Sequence, residues 1–166
     1  AVAYVKSLGG KREAGVVGSR VVTSALHAAL ANGICVHADE TDDVHWPSRS
    51  HPGASVIPAT LATAEGQQLS GESILRAVVL GYDICARTLF ALKQAQLREL
   101  GFHPSSKGAL FGATAAASAL LRLDARKMRY ALSYCAEQAA GLTVVYRDTQ
   151  HNEKAYICGG MPAHNG

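Results

Sequence analysis

Two short apolar runs, residues 2–5 and 16–22, open the chain and are divided by Gly9-Gly10-Lys11-Arg12. The first reads as the end of a helix or strand. The second, with Val16, Val17, Val21 and Val22, reads as a short strand or an irregular lead-in. From Ser24 the pattern turns helical. Ser24 suits a cap, and Leu26, Ala29, Leu30 and Val36 recur at the three-to-four spacing of one buried face. Gly33 costs about 1 kcal/mol against alanine in mid-helix, so it points to a close approach by a neighbouring backbone. The polar stretch 39–50 ends at His51-Pro52-Gly53. Pro52 fits the first turn of a second helix reaching about Glu65, and Pro58 inside it predicts a kink or a later start.

Ser70-Gly71-Glu72-Ser73 opens the longest predicted helix, residues 74–100. Ile74, Ala77, Val78, Gly81, Ile84, Cys85, Thr88 and Leu89 line one stripe of it, and Gly101 closes it. Residues 102–106 read as a loop. A helix of small residues over 108–121 follows, with alanine on nearly every face, so that neighbours can approach from several directions. Asp124 caps a further helix that stops at Gly141. The mixed, glycine-rich stretch 142–166 predicts no defined element. Five or so helices with short connections and no fixed-period repeat make this an all-α, multi-helix bundle.

Composition narrows the class. The 166 residues are 48% hydrophobic, 17% charged and only 6% aromatic, enough apolar content for one domain with a real core and too much for disorder. A core of alanine, leucine and valine favours tightly packed helices over strands. The net charge of +3 is too small and scattered for nucleic-acid binding. No apolar run reaches the roughly 18 residues of a membrane span, and the first residues lack a secretion signal. Cys35, Cys85, Cys135 and Cys158 are spread too widely for a zinc ribbon or an iron–sulfur run. They are expected as buried small hydrophobes in a cytoplasmic protein.

Two loops carry candidate chemistry. In the first, Asp39, Glu40, Asp42 and Asp43 fall within five residues at the end of a predicted helix, where the macrodipole disfavours negative charge. His37, His45 and His51 lie around them. Carboxylates crowded in this way hold one another's protons and suit proton transfer through His51 or His45. Two other readings stand beside that one. The loop is a solvated helix terminus, or His37, His45 and the acids are metal ligands, although they lack a defined ligand spacing. The second loop is Gly101-Phe102-His103-Pro104, where proline restricts the backbone of a histidine held between helices. If the fold brings His103 to His51, the pair can serve as general acid and base. His27 is expected to be partly buried and satisfied, and His151 to be solvated. Walker, dinucleotide-binding and G-x-S-x-G signatures are absent.

Several strings in order resemble the MmgE/PrpD family. They are Ala28-Ala29-Leu30-Ala31-Asn32-Gly33, then His37-Ala38-x-Glu40-x-Asp42-Asp43-x-His45, then His51-Pro52-Gly53-Ala54-x-Val56-Ile57-Pro58-Ala59. Gly81-Tyr82-Asp83, Gly101-Phe102-His103-Pro104, Phe111-Gly112-Ala113 and Gly160-Met161-Pro162-Ala163-x-Asn165-Gly166 continue the series. The family includes 2-methylcitrate dehydratase, cis-aconitate decarboxylase and iminodisuccinate epimerase. The resemblance implies a large helical domain with a smaller α/β lid, a homodimer in the full-length parent, and a pocket between the domains. It further implies lyase chemistry beside a carboxylate of a small di- or tricarboxylic acid, 2-methylcitrate dehydratase-like, with no metal and no cofactor.

Carried over by position, His51 and His103 are pocket histidines and Glu40, Asp42 and Asp43 their acidic neighbours. Arg49 and Lys107, beside the two loops, are candidate carboxylate binders. His164 stands where some members have lysine, as a further substrate-binding candidate. Residues 1–166 are then expected to be a single partial helical domain, truncated at both ends relative to the family and without the lid. Such a piece would leave apolar helix faces uncovered and be inactive by itself. The competing function is a non-catalytic module for oligomerisation or interaction, or an epimerase or decarboxylase of the same family.

Overall fold

A computed structural model describes all 166 residues. Helix α1 (Val2–Leu8) buries Val5 and leads into a two-stranded antiparallel hairpin. The hairpin's strands, β1 (Ala14–Gly15) and β2 (Val22–Thr23), pair Ala14 with Thr23 and Gly15 with Val22. Helix α2 (Ala25–His37) starts at Ser24, whose side chain accepts from the His27 N–H. A 3-10 turn at Trp46–Ser48 precedes α3 (Gly53–Gln67), which carries Pro58 inside it. Then come α4 (Gly71–Ala91), α5 (Gln94–Glu99), α6 (Pro104–Leu120) and α7 (Ala125–Glu137). Ser70 and Asp124 cap α4 and α7 as their side chains predict. The architecture is all-α, as the periodicity implies.

Packing explains where the elements depart from expectation. The buried face of α2 is built from Ala28, Ala29, Ala31, Asn32 and Gly33 with Leu30 and His37, whereas Leu26 and Val36 are exposed. Small residues form the contact face because other backbones press against it. The expected helix over 74–100 breaks at Leu92 and Lys93, where Leu92 is extended at φ −80° and ψ 138°. Gln94 marks the corner by donating to the carbonyls of Leu89 (3.0 Å) and Ser48 (3.2 Å). Residues 104–106, expected in a loop, form the first turn of α6, because Pro104 sits where a missing N–H costs nothing.

The segment without a predicted element is ordered by contacts rather than by periodicity. A 3-10 turn (Thr143–Arg147) leads to α8 (Asn152–Ala155), one π-helical turn (Tyr156–Gly160) and α9 (Met161–Asn165). This stretch lies across α2, and at the crossing there is room for no side chain. A Cβ on Gly33 would stand 2.5 Å from the Gly159 carbonyl oxygen. The Ser55 hydroxyl on α3 secures the crossing with a 2.7 Å hydrogen bond to the Cys158 carbonyl.

Helix α6 runs through the centre, in contact with α3, α4, α7 and α9, and its alanines are buried on nearly every side. Where α6 meets α4, a Cβ on Gly112 would come within 2.5 Å of the Gly81 carbonyl oxygen. On the outer side of α4, Leu75 and Val79 remain 68% and 70% exposed. Cys85, Cys135 and Cys158 are buried and unpaired, while Cys35 is exposed. No helix is long and apolar enough to cross a membrane.

The α2 crossing is directly testable. Gly33→Ala should destabilise the protein by about 3 kcal/mol, the upper end for overpacking, because the obstructing atom is backbone. Gly71→Ala, whose new Cβ meets open space, should change stability by less than about 1 kcal/mol. Urea midpoints of the two variants provide the comparison.

Candidate active site

Both histidines singled out by the sequence precede prolines that begin helices. His51 leads through Pro52 into α3, and His103 occupies the N-cap position of α6 ahead of Pro104. The residue before proline is steered away from helical backbone, so each imidazole stands at a helix entrance rather than on a helix face. Helices α3 and α6 pack with Val56 against Gly112 and, further along both, Thr63 and Gly66 near Ala117 and Leu121, so they run the same way and His103 is close enough to His51 to feel its charge.

Around His51 the acidic loop folds inward. Asp42 is buried, its side chain only 2% exposed, and its Oδ2 accepts a 2.8 Å hydrogen bond from His37 Nδ1. His51 Nδ1 lies 3.5 Å from the same oxygen, and the two rings meet edge to face with centroids 4.9 Å apart. His51 keeps about a quarter of its side chain in solvent. Burial opposes ionisation of Asp42, but the two imidazoles outweigh it and hold the carboxyl well below the usual range. In return, the Asp42 carboxylate raises the pKa of His51 against its own partial burial.

His103 has the opposite surroundings. It is 5% exposed, and burial first, then the positive charges of Arg98, Lys154, His37 and His51, push its pKa down to about 4. Its backbone N–H donates to the Gly141 carbonyl (2.9 Å). The Cys158 sulfur lies 3.9 Å from its Nδ1, and the Tyr146 ring stands 5.7 Å from its own. Burial pushes the Cys158 thiol up to about 12, so it is a poor nucleophile at neutral pH.

Glu40 joins the site to the later part of the chain. It accepts from His151 Nδ1 at 2.6 Å and pairs with the Lys154 ammonium, which lowers its pKa. His151 is exposed, as expected, and is also a hydrogen-bond partner of Glu40. It and Glu40 both adopt left-handed backbone, at φ 58° and 51°. Conformations of that kind cost on the order of 1 kcal/mol or more each and persist where surrounding contacts hold them.

The remaining candidates lie in other settings. Asp43 Oδ1 accepts the Gly53 N–H (2.9 Å) at the start of α3, and with burial it raises the pKa of Tyr82. Arg49 is exposed, in left-handed backbone, with no hydrogen bond or ion pair from its side chain. The Lys107 ammonium donates to the carbonyls of Ala139 (3.0 Å) and Ala140 (3.3 Å) and covers the Phe102 ring. His164 stacks at 6.3 Å on His27 and bonds Asn165. His27 and His37 are ten residues apart on α2, about 15 Å along its axis, so His164 sits by the far end of that helix. His45 bonds Ser48 (2.7 Å), away from the metal-ligand grouping suggested for it.

The only three donor atoms of ligand type that gather belong to His37, Asp42 and His51, within 4.8 Å of one another. Their closest spacing is the 2.8 Å hydrogen bond of His37 to Asp42, while His51 Nδ1, 3.5 Å from the same oxygen, makes no hydrogen bond. Residues 142–160 supply neighbours the sequence did not assign to the site: Lys154 and Tyr146, together with His151 and Cys158, which it read only as a solvated histidine and a buried cysteine. The one available signal was their density of polar and titratable side chains in an apolar protein. Surface cavities of about 230–620 Å³ lie elsewhere, and neither His51 nor His103 lines them.

Comparison with known proteins supplies the lineage. Residues 1–166 match the MmgE/PrpD N-terminal domain. A cis-aconitate decarboxylase from Homo sapiens is 34% identical over 117 residues, which cover 68% of this chain and 24% of that protein. One from Aspergillus terreus is 31% identical over 166 residues, covering 91% of this chain and 33% of the relative. The chain thus spans a third or less of the length of these relatives.

The depressed pKa of His103 makes stability pH-dependent. Unfolding releases the ring to its ordinary value, so the unfolded state binds more protons between pH 6.5 and about 4. Whatever the neutral ring contributes is complete above pH 6.5 and is lost as pH falls towards 4. Denaturant titrations at pH 7 and 4 should show wild type losing up to about 3 kcal/mol more than His103→Gln.

Proposed function

The chain belongs to the MmgE/PrpD family, and we propose that it is the histidine-bearing part of a lyase that moves a proton beside a carboxylate of a small di- or tricarboxylic acid. The observation that carries this reading is the contrast in surroundings of the two histidines: the Asp42 carboxylate stands 3.5 Å from His51, whereas His103 is buried with no carboxylate against it. Paired titratable groups pushed apart by their surroundings mark an acid and a base. His51, with its pKa raised by Asp42, is the general acid. His103, buried and with its pKa depressed to about 4, is unprotonated at neutral pH and is the general base.

The relatives named cis-aconitate decarboxylase favour an unsaturated tricarboxylate over 2-methylcitrate as substrate. For such a substrate, loss of carbon dioxide leaves its bonding electron pair in the conjugated carboxylate system, and carbon then takes a proton. His51 delivers that proton through Nε2, the ring nitrogen turned away from Asp42. In a dehydration the sequence differs: His103 removes a proton beside a carboxylate, and His51 protonates the departing hydroxyl. The first route needs His51 as the acid; the second needs His103 as the base as well.

Lys154, whose ammonium is paired with Glu40 and influences His103, is a carboxylate binder nearer the two histidines than Lys107, whose ammonium is held by the carbonyls of Ala139 and Ala140. The entrances of α3 and α6 add partial positive charge at the same end. The pocket is completed by a second domain, as the family resemblance implies, and the intact protein is a homodimer. No metal takes part in this scheme.

In the intact protein, His103→Ala should lower dehydration of 2-methylcitrate or citrate by at least about a hundredfold, and decarboxylation of cis-aconitate less, while circular dichroism stays unchanged. Near-normal turnover by a folded variant overturns the assignment. Product analysis across the three acids identifies the reaction, and chelator-treated protein should keep its activity.

A further inference from the structure

His37 is the most completely buried titratable side chain near the site, with no exposure at all, and the acid–base scheme does not use it. It closes the last turn of α2, where the crossing segment presses on it. A methyl group at Gly159 would come within 3.2 Å of the His37 Cβ. The side chain is fully enclosed, and its Nδ1 is aimed at Asp42 Oδ2, 2.8 Å away.

Asp42 has few other anchors. Asp43 takes the backbone N–H of Gly53, but no backbone group donates to Asp42, and its Oδ1 meets no partner. A buried carboxylate with so few donors costs several kcal/mol unless charges or strong hydrogen bonds compensate. Two imidazoles provide that compensation here, and one of them is the acid of the proposed reaction. His37 supplies the short bond; His51 stands at 3.5 Å, a contact of the kind that tightens once the ring carries charge or substrate binds.

We propose that His37 is a positioning residue: by holding the Asp42 carboxylate, it fixes the His51 ring with Nδ1 toward Asp42 and Nε2 free for substrate. This rests on the reading that His51 handles a substrate proton. The arrangement places one carboxylate between two imidazoles, the inner one structural and the outer one reactive. A carboxylate behind a reactive histidine selects its tautomer and stabilises its charged form.

The experiment compares His37→Leu with His37→Asn in the intact protein. Leucine fills the volume without a donor, whereas the asparagine amide places an N–H close to where Nδ1 stood. His37→Leu should lower kcat ten- to a hundredfold with KM changed less than about twofold. The limb of the pH–rate profile that reports His51 should move to lower pH by about one unit, because the carboxylate no longer supports its charge. The other groups facing His51, namely Lys154, His103 and the Asp43 carbonyl, are unaltered in both variants. His37→Asn should recover activity to within a few-fold and restore the profile.

Equal losses in both variants, or none in either, overturn the proposal. Should His37→Leu fail to fold, nitrogen-15 shifts of the wild-type His51 ring decide: protonated Nδ1 supports the inference, and protonated Nε2 in the uncharged ring overturns it. A His51→Asn control separates the two levels. If that variant is fully active, the acid–base reading falls and this inference with it; if it is inactive while His37→Leu is unaffected, only the role of His37 falls.

Discussion

The contact of Gly33 with Gly159 is the constraint on which the site depends. Two backbones meet there with no side chain between them, and the later part of the chain is thereby laid across α2. That placement brings Cys158 to His103 and sets Lys154 and His151 against Glu40. It also presses against the Cβ of His37. Ser55 reinforces the crossing from α3, so the helix that starts behind His51 is tied to the same point. Glycine is required for reasons of space, and the mid-helix penalty it carries is offset by the packing it permits.

Electrostatics then divides two similar residues into two roles. Each histidine sits before a proline at a helix entrance, yet one faces a buried carboxylate and the other a buried, cationic setting. The helix entrances themselves cannot make this difference, since both present the same partial positive charge. The partner does: Asp42 compensates charge on His51, while nothing of that sign touches His103. The cluster of His37, Asp42 and His51 and the isolated His103 are thus complementary halves of one proton-handling arrangement.

Small residues set the geometry of the whole domain. Alanine and glycine on α2, α4 and α6 let the helices approach until backbone meets side chain or backbone, and little side-chain freedom is lost in doing so. A core of this type leaves large residues such as Leu75, Val79 and Tyr134 on the outside, while the predicted stripe of α4, with Ala77, Gly81, Cys85 and Leu89, faces inward.

Much of this was legible in the chain. The caps at Ser24, Ser70 and Asp124, the break at Gly101 and the close approach at Gly33 follow from local chemistry, because caps and glycines act within a turn or two of their own position. The helix entrance at His51-Pro52, the loop bearing His103 and the acidic loop were equally visible, as was the family; that Pro104 already begins a helix was not. What the sequence could not contain was partnership across long separations: Glu40 with Lys154, 114 residues on, or His103 with Cys158, 55 residues on. Nor could it show that Asp42 turns inward to two imidazoles while Asp43 turns to a backbone N–H. Neighbouring aspartates have the same intrinsic chemistry, and only the burial and donors that tertiary packing brings to each decide which becomes part of the site.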